Sequence, residues 1–155
     1  MVLLFFHNSA FAQHPTFTRG DLLFTLTYDN NLQRDAVVVS AANKEISGDI
    51  TIPASITINT NIQNSELLSV IGVLDNGFKE CSKITSVIMP NTISTIDRNA
   101  FNGCTELKSV SLSDGLTWIS EGAFANCKSL TEITIPDGVN YMGSSSCGSS
   151  YGTTS

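Results

Sequence analysis

Four cysteines, Cys81, Cys104, Cys127 and Cys147, are the residues best suited to chemistry in this 155-residue chain. Thiolates ligate metals, attack electrophiles and close disulfides, and each use needs partners at a particular spacing. No C-x-x-C pair occurs, and the two histidines, His7 and His14, both lie near the N-terminus, so metal-ligand spacing is absent. The same shortage of histidine excludes a Cys-His or Ser-His-Asp arrangement from the rest of the chain. No G-x-S-x-G, Walker or dinucleotide motif is present either. Neither enzymatic activity nor a cofactor is expected. Carboxylates could be brought together as Asp97 with Glu121, or Asp114 with Asp137, but exposed acids of this kind read as a solvated edge.

A longer interval gives the cysteines their meaning. Cys81, Cys104 and Cys127 are 23 residues apart, and so are Phe78, Phe101 and Phe124. Two residue types sharing such a period mean stacked repeats. In the same register Val73, Ile96, Ile119 and Met142 open the units, and Ile84, Leu107 and Leu130 follow the Cys. Val87/Met89, Val110/Leu112 and Ile133/Ile135 then alternate, and Ile93, Leu116 and Val139 close each unit. Alternation over "SVSL" and "EITI" is the signature of a short strand with one inward face, so each unit is expected to offer one strand pairing in parallel with its copies. Gly and Pro in "MPN", "SDG" and "IPDG" turn the chain away. The segment "EGAFANC" returns it through a loop or short helical turn that carries the Phe inward. One unit cannot bury its apolar edge alone, so stability must come from nearest-neighbour stacking.

Stacking bears on the thiols. Parallel neighbours sit about 4.8 Å apart, and side chains that point the same way make poor disulfide geometry. Cys81, Cys104 and Cys127 are therefore expected as a ladder of buried thiols, which leaves Cys147 as the one free to react.

The positions that alternate outward are Ser86, Ile88, Ser109, Ser111, Glu132 and Thr134. They form the candidate binding face, because the stack does not dictate their identity. Trp118 and Tyr141 each stand one residue before a unit opens. They form a candidate aromatic edge, suited to a sugar or protein ligand or to packing under a neighbouring loop. The eight basic residues are scattered against 14 acidic ones, a net charge of −6, so no nucleic-acid groove is expected. No stretch approaches the roughly 18 to 20 apolar residues of a membrane span.

The unit "ISEGAFANCKSLTEITIPDGV" resembles the repeat of BspA-like leucine-rich repeat proteins, which runs I-G-x-x-A-F-x-x-C-x-x-L-x-x-I-x-I-P-x-x-V. The resemblance covers residues 73–142 and extends more weakly over 36–72, where "GDITIPASI" reproduces the strand and Pro turn of a unit. Gly77 stands where Ala is usual, and Ser113 replaces the Pro. The fold implied is mainly β with short helical or irregular turns, a leucine-rich-repeat solenoid with a parallel sheet and an N-terminal β cap. Residues 1–12 read as a signal peptide truncated at its start, with a strand-like or disordered segment as the alternative. Residues 13–47 form the cap, with strands near Leu22–Tyr28 and Ala36–Ser40. Repeats fill 48–142, and a surplus of 14 residues places an inserted loop or hairpin near 57–72. In 143–155, 11 of 13 residues are Gly, Ser or Thr. Cys147 falls there at the Phe position and Ser150 at the Cys position, so this segment reads as a flexible tail. The resemblance implies a secreted or cell-surface module that adheres to proteins of a host or neighbouring cell. Its alternatives are a passive repeat appendage of a longer surface protein and a glycan-binding module.

Overall fold

The computed structural model describes residues 15–30, 33–61, 64–147 and 152–154. Residues 1–12, read as a signal peptide, lie outside the described residues. Thirteen strands and no helix are found among those described: β1 (Thr16–Arg19), β2 (Leu22–Asp29), β3 (Arg34–Ala41), β4 (Ser47–Thr51), β5 (Ser55–Asn61), β6 (Asn64–Val73), β7 (Lys83–Ile88), β8 (Thr95–Ile96), β9 (Ser109–Ser111), β10 (Trp118–Ile119), β11 (Glu132–Thr134), β12 (Tyr141–Met142) and β13 (Gly152–Thr154). The first sheet runs β1-β2-β3-β6-β8-β10-β12. Its β1–β3 part is antiparallel, and parallel pairing begins where β3 meets β6. On the other side of the stack β4-β7-β9 form a parallel sheet, with β11 beside β9 and paired to β13.

Each unit thus contributes two strands, which corrects the expectation of one. The strand on the second side is the alternating one, as in β9 with its inward Val110. The other holds two residues, as in β8 and β10, with one side chain in and one out; a stretch that short carries no alternation to read. The surplus before Val73 is the hairpin of β5 and β6, paired from Ser55↔Ser69 to Asn61↔Asn64.

Between the two sides the periodic residues stack in columns. Phe78, Phe101 and Phe124 are fully buried, their rings parallel with centroids 5.0 and 5.3 Å apart. Val73, Ile96 and Ile119 form a second fully buried column, and Ile84, Leu107 and Leu130 a third.

The return turns are irregular because their amides bond along the stack. The N–H of Phe78 donates to the Ala100 carbonyl, Phe101 to Ala123 and Phe124 to Ser146, each at 2.7 Å. Each turn needs two left-handed residues. One is Asn76, Asn99, Gly122 or Ser145, and the other Glu80, Gly103 or Asn126, with φ between 53° and 80°. Asn and Gly suit that region because it costs them least. At the Pro position Ser113 is fully buried, and its hydroxyl accepts the Gly115 N–H at 3.1 Å, closing the turn by a bond where the usual residue does so by its ring.

Of the segment read as a flexible tail, residues 143–147 and 152–154 are among those described, and they bond to the preceding unit. Gly143 N–H donates to the Ile119 carbonyl at 2.8 Å, Ser146 and Cys147 are buried, and β13 pairs with β11 from Glu132↔Gly152 onward. Small polar residues cannot order themselves through apolar burial. Here the preceding unit supplies a ready set of backbone donors and acceptors, and Cys147 occupies the end of the phenylalanine column.

Candidate functional site

The thiol column lies inside the stack. Cys81, Cys104, Cys127 and Cys147 form no disulfide with one another, and all four are buried. The Cys104 Sγ donates to the Phe78 carbonyl at 3.2 Å and the Cys127 Sγ to the Phe101 carbonyl at 3.1 Å, so the thiols tie each unit to the one before. Burial pushes the Cys127 thiol up to about 12 and raises those of Cys81, Cys104 and Cys147 as well. Cys147, expected to be the reactive one, is buried with the rest. Since the thiolate is the nucleophile, a pKa of about 12 leaves on the order of one Cys127 in ten thousand ionised at pH 8. Labelling of Cys127 in the native protein should therefore run roughly a thousandfold slower than that of a free cysteine, that of the other three should also be slowed, and all four should react after denaturation. Rapid native labelling of Cys104 would contradict the ladder.

The outward residues of the second side form two rows. Ladder pairing aligns Asp49, Ser86 and Ser109 in one and Thr51, Ile88 and Ser111 in the other, and β11 sets Glu132 and Thr134 beyond them. Ile88 is half exposed and is the one large apolar side chain among these eight. Asp49 was missed by the sequence reading. Its carboxylate accepts bonds from the Ser86 and Thr85 hydroxyls at 2.7 and 2.8 Å, which hold it below the ordinary carboxylate range. Its place beside Ile50 in "GDITIP" was the available signal.

Trp118 and Tyr141, the candidate aromatic edge, project outward from β10 and from β12, the last strand of the first sheet. Register sets Trp118 opposite Tyr141 on one side and Thr95 on the other, with Gly72 beyond Thr95. The two rings stack with centroids 3.9 Å apart and planes 16° apart. The indole N–H donates to the Ser120 hydroxyl at 3.1 Å, which fixes the ring's orientation. Each ring keeps 44% of its surface exposed. They pack on each other, with their free surface turned to solvent.

Of the carboxylate pairs, Glu121 meets Arg98 at 2.9 Å, and does not join Asp97. Asp97 is half-buried, and its carboxyl is raised by burial first and by neighbouring Asp75 second. Asp114 and Asp137 are exposed on successive turns.

The profile of the BspA type leucine-rich repeat region matches residues 50–154 as six copies. Among solved structures, the chain is similar to a leucine-rich repeat protein from Bacteroides capillosus, with 28% identity over 90% of this chain and 99% of that one and a TM-score of 0.69. It is also similar to a leucine-rich cell surface protein from Faecalibacterium prausnitzii, with 27% identity over 90% of this chain and 42% of that one and a TM-score of 0.57. The leucine-rich repeat protein of T. pallidum shares the fold, at 23% identity over 77% of this chain and 61% of that one, TM-score 0.56. No curated protein sequence matches the chain significantly.

Proposed function

Because the chain belongs to the BspA-type leucine-rich repeat family, we propose that it is a non-enzymatic binding module, secreted or held at the cell surface, that adheres to proteins of a host or neighbouring cell. The observation that carries this reading is the separation of duties in each unit. Inward columns are committed to the stack, whereas most residues of the outward rows on both sides are exposed and fill no core column. The similarity to a cell surface protein at 27% identity supports the location. No helix among the described residues is long and apolar enough to cross a membrane. In this reading β1–β3 cover the open end of the stack, and the row from Ser86 to Glu132 meets the partner. The glycan alternative draws its support from the exposed Trp118–Tyr141 pair.

Ser109→Lys combined with Glu132→Lys should weaken capture of a host protein in pull-down, because it places like charges across a face that lacks them. Stability should stay within about 0.5 kcal/mol of the parent, as for most exposed substitutions. Trp118→Ala is the paired variant for the other face. If capture survives the double lysine change and is lost only with Trp118→Ala, the partner sits on the first sheet. If neither variant alters capture, the repeats are a passive appendage.

A further inference from the structure

We propose that the Trp118–Tyr141 pair is a recognition site for a guanidinium group, an arginine-bearing segment of the partner protein, and so rests on the binding-module reading above. Three observations point to this chemistry. The first is the geometry of the rings. Tyr141 covers one face of the indole, and the neighbour along the ladder on the other side is the small Thr95, whose hydroxyl fills the space over Gly72 beyond it. Both aromatic residues keep exposed surface against which a flat group can stack. Guanidinium is flat, weakly hydrated for an ion, and stacks on Trp and Tyr.

The second observation is charge. The turns that enter the two aromatic strands carry Asp114 and Asp137, each four residues before its ring, and Asp97 and Glu121 follow β8 and β10. Of these, Glu121 is offset by Arg98 at 2.9 Å, which leaves Asp114 and Asp137 before the aromatic strands and Asp97 after β8. Lys108 and Lys128 stand before β9 and β11, at the strands of the opposite side. A net −6 chain adds long-range attraction of the same sign.

The third observation is orientation. The bond from the indole N–H to Ser120 holds the ring in place, so little freedom is lost when a ligand stacks on it. A neutral sugar would use the rings but not the carboxylates. Only a cationic ligand uses both.

The chain has a single tryptophan, so its fluorescence reports on this site alone. The whole protein is titrated with a blocked Gly-Arg-Gly-Arg-Gly peptide, with the same peptide carrying citrulline, and with cellohexaose. A saturable change is expected with the arginine peptide, weakened by added salt because the contributing charges are exposed, and none with the neutral citrulline peptide. Tyr141→Ala keeps the reporter and should weaken binding by about threefold to thirtyfold. Asp114→Asn with Asp137→Asn touches no core residue and should weaken it about twofold to fivefold. An equal response to the citrulline peptide, saturation by cellohexaose in place of the arginine peptide, or no saturable change with arginine overturns the proposal. Host-protein capture by Ser109→Lys/Glu132→Lys tests the binding-module reading separately, on the other face, and does not bear on the arginine peptide titration.

Discussion

Phe101→Ala should cost about 3 to 5 kcal/mol, which is comparable to the whole stability of a small domain. The ring is fully buried as the middle of three, with Phe78 on one side at 5.0 Å and Phe124 on the other at 5.3 Å. Truncation removes two stacked contacts and leaves a void whose walls cannot close. The Phe101 N–H is held by the Ala123 carbonyl at 2.7 Å, and its own carbonyl accepts the Cys127 thiol at 3.1 Å, so the turn is fixed from the next unit. In a repeat stack stability is a sum of nearest-neighbour terms, and this position enters two of them. The expected outcome is loss of the folded state or a large fall in the urea midpoint. An unchanged midpoint would sink the repeat register itself.

What could be read from the chain beforehand follows from which residues repeat and which do not. The phenylalanine and cysteine columns were legible because two residue types share one period, and their inward placement follows from the apolar positions in register with them. The outward row from Ser86 to Thr134 was legible for the same reason, as the complement of the inward one. The second strand of each unit was not. In β8 and β10 a single inward Ile serves both as strand and as the opening of the unit, and two residues give no alternation to detect. Trp118 and Tyr141 were therefore legible only as neighbours across units, and the strand pairing that sets them opposite one another was not.

The left-handed turn positions were present in the sequence at the same 23-residue interval, as Asn76, Asn99 and Gly122, and again as Gly103 and Asn126. They were overlooked because apolar periodicity says nothing about φ. The contacts of Ser146 and Cys147 were not legible for another reason. The composition there lacks the means to order itself, but these two are buried against the preceding unit, where the Phe124 N–H donates to the Ser146 carbonyl, and a local composition argument cannot include a neighbour's hydrogen bonds.

Restoring the usual alanine at the first of these units should destabilise the protein: Gly77→Ala is expected to cost about 1 to 3 kcal/mol. On backbone grounds alone the opposite holds, because replacing Gly where φ is ordinary stabilises by about 0.4 to 1 kcal/mol through the unfolded chain. Packing decides the sign here. The equivalent Ala100 and Ala123 are fully buried against further regular units. Gly77 instead meets β3, which pairs with β6 through a register shift between Val37 and Val38 and donates the Ala41 N–H to the Gly77 carbonyl at 2.9 Å. A Cβ at 77 would lie 2.8 Å from the Leu74 carbonyl oxygen, 3.2 Å from the Ser40 Cβ and 3.3 Å from the Val39 carbonyl oxygen. Two of these three neighbours are backbone and cannot swing aside, so the joint between the hairpin strands and the repeats must open. Adding Ser40→Gly removes the third contact and should recover only part of the loss. Urea midpoints of the parent, the single variant and the double variant test this, and a midpoint that rises with Gly77→Ala would show that β3 does not seat against the first return turn as described.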